Sequence, residues 1–201
     1  MEIMFADCSS LTNLDLSSFD TSCVSNMYVM FRNCSSLATL DLSSFDTSSV
    51  KNMSYMFSGC SALVAPDLSS FNTSSVIDMS GLFAGCRSLK VVDLSSFDTA
   101  SVKDMRWMFR DCPSLEALDV SSFDTRGSGK CDDMLDGGLT NLRTIKVGVN
   151  CDDRFNGQIF STTYKNFLVS WENSSGKVFD RIPALTADSY KAVVDFSKAK
   201  F

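Results

Sequence analysis

The chain has 201 residues, a net charge of −6 and no histidine. The acidic balance argues against nucleic acid as a partner, because phosphate binding needs a basic face, and no apolar run reaches the roughly 18 residues of a membrane span. Without histidine there is no Ser-His-Asp or Cys-His nucleophile pair and no His-ligated metal site, so we expect a binding protein that is not an enzyme and has no cofactor.

A 26-residue unit is repeated about five times within residues 1–147. Four residue types recur at this interval: Cys8, Cys34, Cys60, Cys86 and Cys112; Leu11, Leu37, Leu63, Leu89 and Leu115; Phe19, Phe45, Phe71, Phe97 and Phe123; and Thr21, Thr47, Thr73, Thr99 and Thr125. Periodicity of this length indicates a repeat protein in which neighbouring units share one core. Met1 has the register of Met27, so the chain opens in mid-repeat and we expect it to be a piece of a longer protein or to have a neighbour covering this end.

Each unit begins with an L-x-x-L-x-L pattern, which predicts a short parallel strand with its leucines pointing inward. The Phe-Asp-Thr-Ser that follows predicts a turn, since Asp and Thr side chains can cap the local backbone. A second apolar set then occurs at Val24, Met27, Met30 and Phe31. We interpret this set as a strand at Val-x-x-Met and a helical turn at Met-Phe, although a continuous helical turn also fits its spacing.

The repeat pattern ends near residue 147. Leu142, Ile145 and Val147 form a last L-x-x-L-x-L strand, and the later sequence alternates apolar and polar residues. The segment Glu172–Lys177 has the composition of a hairpin turn before Val178. The sequence therefore predicts a repeat domain over residues 1–147 and a β-rich C-terminal capping region over residues 148–201.

Two motifs of the unit resemble the BspA-type leucine-rich-repeat surface proteins of bacteria. They read Met-Phe-Ser-Gly-Cys-Ser-Ala-Leu at 56–63 and Leu-Asp-Leu-Ser-Ser-Phe-Asp-Thr at 40–47. The resemblance covers about residues 1–147, and the Trp-Glu-Asn-Ser-Ser-Gly-Lys segment at 171–177 is similar to a stretch that often follows such arrays. It implies an α/β fold, a right-handed solenoid of short parallel strands and short helical turns. It also implies an extracellular or cell-surface protein that binds host or neighbouring-cell macromolecules, extracellular-matrix components above all.

Two neighbouring columns just before the Met-Phe pair differ from unit to unit. They are Glu2, Tyr28, Ser54, Ser80 and Arg106, and Ile3, Val29, Tyr55, Gly81 and Trp107. Positions that vary between repeats are not needed for the fold, and Tyr, Trp and Arg are enriched at binding hot spots. We therefore predict that Tyr28, Tyr55, Arg106 and Trp107 contact a protein or glycan partner. Drift on a solvated ridge is the alternative.

A row of aspartates occupies the position between the last two leucines of each strand pattern: Asp15, Asp41, Asp67, Asp93 and Asp119. Like charges one strand spacing apart repel each other, so the row needs hydroxyl donors, cations or a basic partner. Two interpretations stay open, hydrogen bonding to neighbouring Ser and Thr, and a site for cations or a basic ligand. A second row, which includes Asp46 and Asn72, predicts turn caps.

The cysteine column predicts buried free thiols that pack as small apolar side chains, since no metal-binding spacing occurs. Cys23, Cys131 and Cys151 lie outside the column, and the sequence does not define their pairing.

These features together predict an adhesin-like binding module. One alternative is a structural spacer within a larger surface protein. A carboxylate-based hydrolase is a second alternative, which the lack of an unlike acid pair disfavours. The oligomeric state is left open by the sequence.

Overall fold

Five β-strands form one sheet at the C-terminal end of the chain. The structure is a computed structural model that describes residues 1–127, 130–131, 133–135, 138–148, 150, 168–173, 175, 178–179 and 188–195. The strands are β1 (Ala117–Val120), β2 (Thr144–Val147), β3 (Leu168–Asn173), β4 (Val178–Phe179) and β5 (Asp188–Asp195). Their order in the sheet is β1-β2-β5-β3-β4, with β1 and β2 parallel and the other pairs antiparallel.

Successive 26-residue units lie beside one another and are joined by parallel backbone contacts. Isolated parallel bridges occur at Asn26–Asn52, Asn52–Asp78, Asp78–Asp104 and Asp104–Lys130. Around them, alternate amides of one unit donate to carbonyls of the next. For example, the Met27 amide donates to the Asn52 carbonyl over 2.9 Å, and the Phe31 amide to the Met56 carbonyl over 2.9 Å. The contact between units is therefore a ladder of the kind that joins parallel strands.

The recurring apolar positions form the core. Side chains such as Met53, Phe57, Cys60 and Leu63 are at most 1% exposed. The phenylalanines of the Met-Phe pair stack face to face from unit to unit, with ring centroids 5.5–5.8 Å apart from Phe5 to Phe109. Like side chains at like positions thus build one continuous core across the units, as repeat proteins require.

The Met-Phe segment, which covers residues 27–34 in the second unit and the equivalent residues of the others, makes turns. No helix occurs among the described residues. In the second unit the Met30 amide donates to the Met27 carbonyl over 3.2 Å, and the Cys34 amide to the Phe31 carbonyl over 3.1 Å. The third residue of each turn, Val29 or Asn33, has a positive φ, as in a type II turn. The predicted helical turn is wrong here, because the amides of Val29 and Phe31 already donate to the next unit and cannot make helical bonds.

The L-x-x-L-x-L segments differ from the prediction in a second way. Only the segments at β1 and β2 form a strand pair among the described residues. Earlier units have scattered bonds there, such as the Lys90 amide to the Val64 carbonyl over 3.1 Å. Pro66 contributes to this in its unit, because proline has no amide to donate. The regular ladder therefore lies along the Met-Phe segment.

The strands after residue 147 extend the sheet of the last repeat. Strand β5 pairs antiparallel with β2, with Ile145 opposite Tyr190. The predicted hairpin pairing is confirmed, since β3 and β4 pair antiparallel with Trp171 opposite Phe179, whereas Glu172 and Asn173, which were predicted in the turn, belong to β3. The apolar segments of residues 151–167, which the prediction also placed in this region, lie outside the described residues. The right-handed leucine-rich-repeat solenoid and the capping role of residues 148–201 stay predictions.

Candidate functional site

The variable column with Tyr55 and Trp107 lies at the third position of the first turn in each Met-Phe segment. All five of its members have a positive φ: Ile3 at 60°, Val29 at 48°, Tyr55 at 55°, Gly81 at 60° and Trp107 at 60°. This conformation is uncommon for residues other than glycine and is an outlier for β-branched ones. The ladder bonds on both sides of the turn hold the backbone in it, so each side chain projects from a fixed bend.

Tyr55 leans over the glycine that follows it in this column. A Cβ atom at Gly81 would overlap the Cε1 and Cδ1 atoms of the Tyr55 ring. The ring is partly buried by this packing, which raises the pKa of the Tyr55 hydroxyl, while the nearby Arg106 charge opposes the increase. Glycine at position 81 therefore provides the space in which the Tyr55 ring lies.

An open groove of about 340 Å³ lies between Tyr55 and Trp107. It spans three units, and the middle unit contributes only small residues, Ala84 and Gly85, to its lining. A Cβ atom at Gly85 would be 3.5 Å from the Gly59 amide nitrogen, so the two glycines are stacked closely. The groove thus exists because one unit with small turn residues lies between two units with large ones.

Trp107 is fixed by a charged neighbour. The Arg106 guanidinium lies over the Trp107 ring, 4.9 Å from its centroid, which is a cation–π geometry. Its Nη2 atom is 2.6 Å from the Asp104 Oδ2 atom, and its Nε atom donates to Asp104 Oδ1 over 3.0 Å. Lys130 approaches the same carboxylate at 3.8 Å. Asp104 therefore orients Arg106, and Arg106 covers part of the indole.

The outer wall of the groove is polar. Ser58, Arg110 and Asp111 line it. Arg110 and Asp111 form an ion pair of 3.6 Å between Nε and Oδ2, and about half of each side chain is exposed. The wall therefore has both donors and acceptors and no net charge.

Of the four residues predicted to contact a partner, Tyr55 and Trp107 line the groove. Arg106 reaches it through its contact with the Trp107 ring. Tyr28 does not line it and is 37% exposed on its own unit. The members of its column at Ser54 and Ser80 are buried, with hydroxyls that donate to Asn52 and Asp78. In these two units the column therefore caps a turn. Only in the other units can its side chain vary at the surface.

The sequence prediction missed the small and polar residues of the groove. Gly59, Gly85 and Asp111 belong to a second positive-φ column, which runs Asp7, Asn33, Gly59, Gly85 and Asp111. Asp, Asn and Gly are the residue types that adopt this conformation most readily. A column made only of these three types was a signal in the sequence for a fixed turn.

The aspartate row is engaged in local turns. Each Asp Oδ1 atom accepts the amide of the serine two residues later, as from Ser43 to Asp41 over 2.9 Å, and in several units also the serine hydroxyl over 2.6–2.7 Å. These bonds lower the pKa of Asp41, while Asp67 and Asp15 on either side oppose the decrease. The same bond occurs at Asp15, Asp67, Asp93 and Asp119. The hydrogen-bonding interpretation of the row is supported, and a cation or basic ligand stays a prediction.

A lysine follows the last aspartate of the row. Lys146 is the strand partner of Asp119 in the β1–β2 pair, and its Nζ atom is 3.2 Å from Asp119 Oδ2. Burial raises the pKa of Asp119, but the bonds from Ser121 and Lys146 outweigh it and the net change is downward. The chain thus supplies a basic partner to one end of the row. The second row forms the predicted turn caps, as where Asp46 accepts the Ser48 amide over 2.9 Å.

The cysteine column is buried and reduced from Cys34 to Cys112, and Cys8 is exposed. Each buried thiol lies 3.1 Å from a phenylalanine carbonyl of the preceding unit, as Cys60 does from Phe31. Burial raises the pKa of Cys34 to about 11 and those of Cys60 and Cys112 to about 12. The buried free thiols of the prediction are confirmed at these positions, and they also act as weak hydrogen-bond donors. Cys23 is exposed, Cys131 is buried, and Cys151 lies outside the described residues.

The described residues contain neither a candidate metal site nor a candidate membrane-spanning helix. No group of three or more His, Cys, Asp and Glu side chains within them is placed to hold a metal ion. Nor does that part of the chain contain a helix long and apolar enough to cross a membrane.

The repeat region of the chain matches a known protein family. A family described as "Mycoplasma protein of unknown function, DUF285" matches residues 1–90 and again residues 39–146. The overlap of the two matches is consistent with a family defined on repeated units. Comparison with curated proteins and with solved structures gave no match.

Proposed function

Because this chain belongs to the family described as "Mycoplasma protein of unknown function, DUF285", a description that assigns no activity, we propose its function from its own side chains. It is a non-catalytic module that binds a macromolecule at the groove between Tyr55 and Trp107. The observation that carries this proposal is the groove itself, in which two aromatic side chains flank a lining of small residues. Aromatic anchors beside a concave surface are typical of binding sites.

The aspartates support a non-catalytic role. A carboxylate-based hydrolase needs two acids whose environments push their pKa values apart, one of them upward. The pKa values of Asp41, Asp67 and Asp93 are all lowered for the same reason, a hydrogen bond from the serine two residues later. A row of equivalent, ionised carboxylates lacks a general acid.

The BspA-type resemblance supplies the setting of the proposal. On that basis the module is an adhesin-like part of an extracellular or cell-surface protein. Its partner is a protein or glycan of the host or of a neighbouring cell, with extracellular-matrix components first among them. The partner contacts Tyr55 and Trp107 in the groove, with Arg106 beside the Trp107 ring, whereas Tyr28 lies outside the groove lining.

The experiment is binding of the purified chain to an array of extracellular-matrix proteins and glycans. The test variant combines Tyr55→Gly with Trp107→Gly, because glycine already occupies this column at position 81 and accepts its positive φ. The control is Tyr28→Ser. It copies the serines that occupy positions 54 and 80 in the column of Tyr28. Saturable binding that the double variant loses and the control keeps supports the proposal.

The alternative function is a structural spacer. It is favoured by the uniform contacts between units, where the Thr47 and Thr73 hydroxyls each bind the equivalent carbonyl of the next unit over 2.9 Å. If the chain is a spacer, it should bind nothing on the array, or any binding should be the same in the parent chain and in the double variant that lacks both aromatic side chains. Either result, with the double variant folded, favours the spacer.

A further inference from the structure

The charge of the groove restricts the class of its ligand. Arg110 and Asp111 are the two charged residues of its lining and neutralise each other at 3.6 Å. Arg106, which lies against Trp107, shares the Asp104 carboxylate with Lys130, and the charge of Asp78 also acts on Arg106. A polyanion such as a sulfated glycan would face Asp111, and a basic peptide would face Arg110. Charge complementarity therefore favours an uncharged ligand.

The polar groups of the groove restrict the ligand further. Arg110 can only donate hydrogen bonds, the Asp111 carboxylate can only accept them, and the Ser58 hydroxyl does both. A ligand that uses all three must offer donors and acceptors close together. Sugar hydroxyls do this, because each is both donor and acceptor, whereas a proline-rich peptide offers carbonyl acceptors and leaves Asp111 unmatched.

The aromatic walls and the shape of the groove fit the same class. Tyr55 and Trp107 come from units two steps apart, and the Tyr55 ring leans over Gly81 of the unit between them, so both aromatic rings border the groove. The volume of about 340 Å³ is at the low end of ligand sites, which span about 300–1,000 Å³. The groove is open at the surface, so it admits a short stretch of a longer chain.

We propose that this groove binds an uncharged glycan chain, with the apolar faces of one or two sugar rings against Tyr55 and Trp107 and their hydroxyls on Ser58, Arg110 and Asp111. This proposal rests on the binding function proposed above and names its ligand class. It also assigns a role to Gly81, Ala84 and Gly85, whose small size keeps the groove open.

The test uses calorimetric titration of the whole chain with soluble neutral polysaccharides (laminarin, a mannan and a galactomannan). Heparin, a ten-residue polyproline peptide and fibronectin serve as probes of other classes. The main variant is Ala84→Arg, which fills the groove without removing an aromatic ring. Arginine occupies the same position of the unit at 32 and 110, so the variant is expected to fold, and its thermal unfolding curve verifies this. Trp107→Gly is a second variant, which removes one of the two aromatic side chains that line the groove.

We expect at least one neutral polysaccharide to bind, with little dependence on salt because no charge is neutralised. Ala84→Arg and Trp107→Gly should each weaken this binding by about tenfold or more, or about 1.4 kcal/mol, while Tyr28→Ser leaves it unchanged. The glycan proposal is overturned if no neutral polysaccharide binds, or if both groove variants bind it as the parent chain does. If heparin, polyproline or fibronectin binds and the groove variants abolish that binding, the glycan proposal fails and the binding function stands. If no probe of any class binds, both fail together.

Discussion

The Thr47 hydroxyl forms two hydrogen bonds to one residue of the next unit. It donates to the Asn72 carbonyl over 2.9 Å and accepts the Asn72 amide over 2.8 Å. Thr47 is fully buried, and the same pair of bonds links Thr21 with Asp46 and Thr73 with Asp98. The recurring threonine is therefore a side-chain rung between units, outside the regular backbone ladder of the Met-Phe segment.

We expect Thr47→Val to destabilise the protein by about 2–4 kcal/mol, because it leaves the amide and carbonyl of Asn72 without their buried partner. Valine has nearly the same shape, so the loss reports the hydroxyl and not the packing. The free energy of unfolding from urea titration measures it. Thr47→Ser, which keeps the hydroxyl, should lose less, and equal losses for both variants would contradict the rung.

The packing of Tyr55 on Gly81 predicts an energetic coupling between them. Gly81→Ala should cost about 1–2 kcal/mol for the positive φ alone, and more because its Cβ atom displaces the Tyr55 ring. In a Tyr55→Gly background only the first cost should remain. A double-mutant cycle by urea unfolding isolates the difference, expected at about 0.5–3 kcal/mol for residues in contact. Equal costs of Gly81→Ala in the two backgrounds would show that the ring does not lie over Gly81.

The buried thiol of Cys60 predicts a loss of stability at alkaline pH. Burial raises its pKa from 9.0 to about 12, so between these values the thiol ionises in the unfolded chain and stays protonated in the folded one. Unfolding is therefore favoured as the pH rises through this range, by about 1.4 kcal/mol for each pH unit.

Comparison with Cys60→Ala isolates this effect from other groups that titrate at alkaline pH. The variant should be less stable at about pH 8, and its deficit should shrink by about 1.4 kcal/mol at about pH 10. Urea unfolding under reducing conditions measures both. A deficit that is the same at the two pH values would rule out the raised pKa.

The turn bonds of the aspartate row predict a dependence on the side-chain oxygen more than on the charge. Asp67→Ala removes the acceptor of the Ser69 amide and hydroxyl bonds, and we expect a lower melting temperature. Asp67→Asn keeps an acceptor, as Asn72 does in the second row, and should lose little. The pKa of Asp67 is lowered from 3.8, so the smaller part of its contribution that depends on the charge is present above that value and is lost as the pH falls below it.

Calcium distinguishes the two interpretations of the row. We expect no rise in melting temperature on adding calcium, because the Oδ1 atoms already accept serine donors and Lys146 neutralises the last member. A saturable rise that Asp67→Asn and Asp93→Asn remove would instead establish a cation site along the row.

The repeat was predictable because the core requires it. The columns of Cys60 and Leu63 bury one side chain in each unit after the first, so their periodicity is visible in a single sequence. The site of the ladder was not predictable from the L-x-x-L-x-L pattern. The spacing of apolar residues indicates which side chains point inward. The ladder depends instead on which backbone amides face the next unit, and the order of side chains does not determine this directly.

The groove was predictable only in part. Tyr55 and Trp107 drew attention as large side chains in a variable column, and both line it. Its lining of small residues was missed, because Ala84 and Gly85 have no side-chain chemistry to notice and their effect depends on the units on either side. A groove formed by small side chains can be recognised only when the positions of the neighbouring units are known.

The bonding pattern at the junctions bears on how the length of such a chain can change. Most ladder bonds join a residue to one 25 positions later, and the bonds from Met27 to Asn52 and from Met53 to Asp78 are alike. Removing or duplicating one whole period rejoins equivalent surfaces, so every later column keeps its alignment. Unequal recombination between copies of the repeat can therefore lengthen or shorten the molecule by whole units. Each added or lost unit changes the distance between the two ends of the repeat region by one strand spacing, about 4.8 Å.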